Sequence, residues 1–329
     1  MSVAVASTVR YSHAIGQLSQ SGRGFNNPVD VAAAGGGRLY VLSRSNMAHA
    51  EMGFLRVSIC TIDEEYISQF TTYGHDDGQL IWPTSIAVDR ASGHVYVSDE
   101  RRHDVQVFDR DGAFIRKIGS FGSGVGQFNR PSGVAVDHNG DVLVADALNN
   151  RVQVWSASGE HLATWGEAGS GPGQFNVPWG IEADAEGRVY VVDWRNSRVQ
   201  QFSADGAYLA SFGGPGPNSE DGSLDRPAGV SVDSVGTVYV SDFGRDRVQV
   251  YRPDGSLLTT LLGDGTMTKW AAPFVAADPE MTALRAQFAD DVAAQERVFE
   301  GPIGVEVDDQ DRVIIADCCK HRLQVYERA

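Results

Sequence analysis

The chain has 329 residues, and its 27 Lys and Arg stand against 43 Asp and Glu for a formal net charge of −16. That balance opposes nonspecific binding to nucleic acid or to an anionic membrane surface. No apolar run reaches the length of a membrane-spanning helix, Val3 to Val9 lacks the basic start and length of a secretory leader, and three cysteines make no disulfide framework; the expectation is a soluble cytoplasmic protein.

In chain order, the N-terminal segment reads Arg10-Tyr11-Ser12-His13-Ala14-Ile15-Gly16, then Phe25-Asn26-Asn27-Pro28. The same register recurs at Lys117-Ile118-Gly119, then Phe128-Asn129-Arg130-Pro131. The segment therefore reads as the last strand of a unit whose first three strands lie elsewhere. A first unit starts at Pro28 and has a long loop from Arg44 to Leu55. The plainest unit runs from Pro131 to Gly166. Residues 132–136 alternate small and β-branched side chains and stop at Asp137, and 138–141 supply turn chemistry with a glycine. A second strand, 142–145, ends at Asp146. A third, Arg151-Val152-Gln153-Val154-Trp155, alternates polar and apolar, and a fourth covers 161–165. Such a sheet is too small to bury both of its faces alone and needs neighbours.

First strands begin at Pro28, Pro83, Pro131, Pro178, Pro227 and Pro302. Their spacings are 55, 48, 47, 49 and 75 residues. The second strand ends in Asp99, Asp146, Asp193, Asp242 and Asp317, with Ser43 in the first copy. This period is that of propeller blades. The expected fold is all-β: a single domain over 1–329, a six-bladed β-propeller of four-stranded antiparallel blades, with the N-terminal strand completing the last blade. The long interval before Pro302 holds an insertion, 264–301. Within it Pro279 to Arg297 predicts one helix of four or five turns with Asp278 as N-cap, and the insertion reads as a lid.

The repeat GQFxxPxGVAVDxxGxVYVADxxNxRVQVF resembles the NHL repeat, specifically in blades two to six and more weakly in blade one. The resemblance implies a propeller whose function varies among members, some being interaction or RNA-binding modules. The related peptidyl-hydroxyglycine amidating lyases carry a catalytic zinc on histidines, often directly after the first-strand proline. Here that place is held by Val29, Thr84, Ser132, Trp179, Ala228 and Ile303, so their zinc pattern is not carried over.

The loop between strands two and three and the connection to the next blade share one face, and the irregular segments fall there. Trp179, Trp194 and Phe243, with Trp270 and Phe274 of the insertion, predict an apolar pocket or a satellite core. Arg44, Arg102, Arg195, Arg245 and Lys320 line the same rim and suit a carboxylate or phosphate. Arg151, Arg198, Arg247 and Arg322 keep a fixed register and read as structural. On the channel-lining first strand, Glu182 and Glu306 stand where other copies carry Ala or Ser, and Asp30 stands where they carry Gly or Ser. These three are the candidates for acid/base chemistry or for ligating a divalent cation in the channel. His49, His103 and His321 are weak candidates for a metal, without a spacing signature. Cys318 and Cys319 read as reduced thiols.

Two functions are compatible with this pattern. One is a propeller that binds a small ligand or a protein partner on the irregular face. The other is a standalone hydrolase or lyase for a small, anionic substrate at the channel mouth.

Overall fold

In the computed structural model, described over residues 9–44, 54–214 and 222–329, the plainest unit forms strands Pro131–Val136, Val142–Asp146, Arg151–Trp155 and His161–Trp165. They pair antiparallel in sequence order. Six such sheets make a six-bladed β-propeller. In the last blade the outermost strand is Val9–Ile15, paired antiparallel with Arg322–Arg328. The first and last residues of the fold are thus hydrogen-bonded to each other, which leaves no unpaired edge inside the blade.

The core consists of six hydrophobic clusters, each joining one blade to the next. Phe25, Leu80, Phe128, Phe175, Leu224 and Phe299, three residues before each first-strand proline, are buried and enter these clusters. The strand-ending aspartates are fully buried. Asp193 accepts from the Asn176 amide at 2.7 Å, Asn196 Nδ2 at 2.8 Å, Arg198 Nε at 2.9 Å and Gln200 Nε2 at 3.2 Å. Arg198 also donates to the carbonyls of Gly171 and Gln174. The buried charge is compensated by an arginine that also ties down the loop entering its own blade, and the pattern repeats at Asp146–Arg151, Asp242–Arg247 and Asp317–Arg322.

The insertion differs from the expected lid. It forms three short helices, α1 (Ala272–Ala277), α2 (Pro279–Gln287) and α3 (Ala289–Arg297). Asp278 does cap α2, accepting from the Met281 amide at 3.0 Å. Phe288, at φ −115° and ψ 35°, breaks the expected single helix in two. No residue of the three helices is buried. The segment before them runs beside the closing strand: Thr266 bonds Tyr11 Oη, Thr268 Oγ1 donates to the Gly16 carbonyl, and Trp270 Nε1 donates to the Glu64 carbonyl at 2.5 Å. The insertion is a strap on the seam between blades six and one, and none of its residues lines the channel.

Candidate functional site

The six first strands wall a central cavity of about 540 Å³. The second residue after each proline faces a neighbouring blade at close range. A Cβ on Gly133 would lie 2.3 Å from the Trp179 carbonyl oxygen, and one on Gly229 would lie 2.4 Å from that of Ile303. Glycine is required there by space. Blades one and two depart from this rule: Ser85 Oγ accepts from the Val134 amide at 3.3 Å, and Asp30 turns its carboxylate across the seam to accept from the Ile86 amide at 2.9 Å. The cavity extends from Trp179 and Ile303 at the irregular face to the turns between strands one and two at the opposite face.

Asp30, Glu182 and Glu306 all line this cavity. Glu306 Oε1 accepts from the Ala33 amide at 3.1 Å, so it joins blade six to blade one. Glu182 Oε1 accepts from its neighbour Ala183 at 3.0 Å. The second carboxylate oxygens of both glutamates have no hydrogen-bond partner among the described residues, and both residues line the cavity. Protein surrounds most of each half-buried group and limits its hydration, which disfavours the charged forms. Burial pushes Asp30 up to about 6 and Glu182 up to about 7. Glu306 is raised well above the ordinary carboxyl range, by burial first and by the charge of Glu182 second. The two glutamates therefore titrate as a pair.

One residue opposes these acids, and it was not among the sequence candidates. Arg90, in the first turn of blade two, reaches across the channel mouth. Its Nε donates to the Ala33 carbonyl at 3.1 Å, and its Nη2 lies 3.4 Å from the Val307 carbonyl and 3.5 Å from Glu306 Oε1. The signal was present in the repeat: the corresponding turn positions are Gly35, His138, Ala185, Ser234 and Asp309, and only blade two supplies an arginine. Around it the mouth carries Asp89, Asp137, Asp184, Asp233 and Asp308.

The residues expected to share one pocket on the irregular face separate into different places. Trp179 and Trp194 meet, with ring centroids 5.9 Å apart, and the Arg195 guanidinium lies 5.4 Å from the Trp194 ring. Phe243 lies at the next seam, 37% exposed, under Arg226 at 5.9 Å. Trp270 is remote from them, buried against Phe25 in the cluster joining blades six and one. Phe274 is 67% exposed. Arg44 stacks 4.3 Å from the Trp82 ring. The other cations are structural: Arg102 pairs with Asp104 and donates to the His75 carbonyl, Arg245 holds Ser223, and Lys320 donates to the Gln295 carbonyl of the insertion and pairs with Glu300.

His103 and His321 also join blades, their Nδ1 atoms accepting the amides of Arg130 and Asn27 at 3.0 and 3.1 Å. His49 lies outside the described residues, as does most of the Arg44–Leu55 loop. Among the described residues no group of three or more His, Cys, Asp and Glu side chains is arranged to hold a metal ion, so the cation considered for the channel gains no ligand set. The three cysteines are free thiols. No helix of the described residues is long and apolar enough to cross a membrane.

The NHL repeat family matches residues 80–108, 128–155, 175–202, 224–251 and 299–326, one match in each of blades two to six. RING finger protein nhl-1 of Caenorhabditis elegans is 41% identical over 66 residues, which is 20% of this chain and 7% of that protein. Protein brain tumor of Drosophila melanogaster is 32% identical over 101 residues, 30% of this chain and 9% of that protein. The matched stretches are therefore under a tenth of those relatives. Virginiamycin B lyase from Staphylococcus aureus aligns over 98% of this chain and 99% of its own, with a TM-score of 0.57 at 12% identity. At that identity the likeness is one of fold.

Proposed function

Because this chain is a six-bladed β-propeller carrying five NHL repeats, we propose that it is a small-molecule-binding protein whose ligand occupies the central channel. The observation that carries this reading is the pair Glu182 and Glu306, both lining one cavity and each with a carboxyl oxygen unengaged, while Arg90 at the mouth approaches Glu306. A cavity of about 540 Å³ suits a small organic ligand. The acids within it and at its mouth favour a ligand bearing hydrogen-bond donors or a positive charge. An anionic substrate, expected from the rim arginines, meets three carboxyl groups in the channel.

The same pair supports a second reading as an enzyme. A glutamate whose proton is retained to about pH 7 beside a second, coupled carboxyl has the makings of a general acid and base. This is the hydrolase or lyase alternative, with Glu182 and Glu306 in the acid/base roles and Asp30 as a flanking acid.

Thermal-shift screening of small amines, polyols and carboxylates tests the binding reading. Amines or polyols are expected to stabilise the wild type, and Glu182→Gln and Glu306→Gln are expected to lose that response. Stabilisation by carboxylates alone, or responses unchanged in both variants, removes the channel as the site.

A further inference from the structure

We propose that the seam between blades four and five, on the irregular face, docks an acidic peptide segment of a partner protein through Arg195 and Arg226. This site is separate from the channel reading and does not depend on it.

The argument starts from the turn after strand two of blade four. Trp194–Asn196 form a single 3-10 turn closed by Ser197 at φ 55°. Asn196 Nδ2 donates to Asp193 at 2.8 Å and to the Gly169 carbonyl at 2.8 Å, which fixes the turn to the blade and to the loop entering it. Arg195 stands exposed on this fixed turn. It rests on the Trp194 ring, which is itself packed on Trp179. Among the described residues no carboxylate forms an ion pair with Arg195. In a chain of net charge −16, an exposed arginine held on tryptophan and left unneutralised is the exception.

A second cation belongs to the same seam by repeat register. Repeat register places the residue after strand two beside the residue preceding the next proline, as at Glu100–Arg130, where the ion pair is 3.9 Å, and at Arg44–Trp82. By that register Arg226, preceding Pro227, belongs beside Trp194. Arg226 is 53% exposed and extends over Phe243 on the far side. Its one carboxylate, Asp225 at 3.6 Å, is 43% exposed, so the pair is weak in water. The patch thus carries two guanidiniums, one resting on the Trp194 ring that packs on Trp179 and one on the Phe243 ring. The corresponding positions one seam earlier are Ala147, Leu148 and Val177, without charge or aromatic ring.

Arginine backed by tryptophan presents a planar fork for a carboxylate and keeps its stem desolvated by the ring. Tryptophan and arginine are the residues that most often dominate protein interfaces. Charge complementarity selects an acidic segment. A nucleic acid suits the surface less, because Asp225, 3.6 Å from Arg226, adjoins the cations and would face a phosphate. In a peptide, carboxylates can be spaced to meet the two arginines and leave Asp225 opposed to a neutral residue.

The test uses a fluorescein-labelled twelve-residue peptide of alternating Glu and Gly, read by anisotropy against the full chain, with a Lys–Gly peptide and a twelve-nucleotide single-stranded RNA as comparisons. The acidic peptide is expected to bind, to weaken as salt rises from 50 to 300 mM, and to lose about tenfold or more in affinity with Arg195→Glu and with Arg226→Glu. Both side chains are solvent-exposed, and unchanged melting of the variants shows that folding is intact. The proposal is overturned if the peptide does not bind, if binding is indifferent to both charge reversals, or if the RNA binds more tightly than the peptide and loses affinity with the same variants. Glu182→Gln, which leaves the seam intact, is expected to bind the peptide like the wild type.

Discussion

Arg90 Nη2 lies 3.5 Å from Glu306 Oε1, joining the first turn of blade two to the channel strand of blade six. The arginine also donates to the main chain of blade one and approaches that of blade six, so one side chain braces the channel mouth across three blades. The charge of Arg90 draws both Glu306 and Glu182 toward ionisation against the effect of burial. Arg90→Met should therefore move the titration of both glutamates upward. Carbon-13 NMR of the glutamate carboxyls reads this directly. Unchanged titration would mean that solvent at the mouth, where Arg90 is 46% exposed, screens the contact.

Glu182 makes a prediction for stability with pH. Its carboxyl is raised from 4.5 to about 7 in the native protein, chiefly by burial. A carboxyl raised in this way binds its proton more tightly when folded. It contributes stability that is full below about pH 4.5 and lost as the pH rises through about 7. Glu182→Gln removes that dependence. The variant should exceed the wild type by about 1–3 kcal/mol at pH 8, the gap closing by pH 4.5. Urea unfolding at the two pH values checks it, and an equal difference at both would show that the proton on Glu182 is not linked to folding.

The buried Asp–Arg pairs predict a loss of another kind. Arg198→Met leaves Asp193 fully buried with its neutral donors but without a countercharge. It also releases the carbonyls of Gly171 and Gln174. The expected cost is about 3–5 kcal/mol in global stability. A loss below 1 kcal/mol would mean that the amides and Gln200 alone hold the charge.

The periodic parts of this molecule were legible because each repeat position has one physical job. Prolines start the channel strands, aspartates end the second strands, and the arginine following them is paired to the aspartate in the same way in four blades. Departures from the pattern were legible too: Asp30, Glu182 and Glu306 all line the cavity, as their positions on the first strand required. Arg90 escapes the sequence pattern because it sits in a short turn, and its importance comes from reaching blades one and six, which no local pattern encodes. The grouping of Trp270 with Trp179 and Trp194 failed for a related reason. The insertion leaves the irregular face but then follows the closing strand, guided by Tyr11 and Gly16 at the far end of the sequence.

That course of the insertion gives the last prediction. Trp270 is 3% exposed, packs on Phe25 at 5.5 Å and donates to the Glu64 carbonyl, while the adjacent Lys269 and Trp270 amides lie 3.2 and 3.3 Å from the Glu64 carboxylate. It therefore pins the strap to blade one at the seam where the ring closes. Trp270→Ala should cost about 3–5 kcal/mol through the cavity it leaves and the lost hydrogen bond. Loss of the strap also releases its bonds to Tyr11 and Gly16 at the closing strand, so the amides of Val9–Ile15 should exchange hydrogen faster, whereas those of the channel strand Pro178–Ala183 should not. If the insertion were a lid on the channel, the variant would instead change the titration of Glu182. Hydrogen exchange and carboxyl titration on the same variant separate the two roles, and faster exchange with an unchanged Glu182 titration is the outcome expected of a strap.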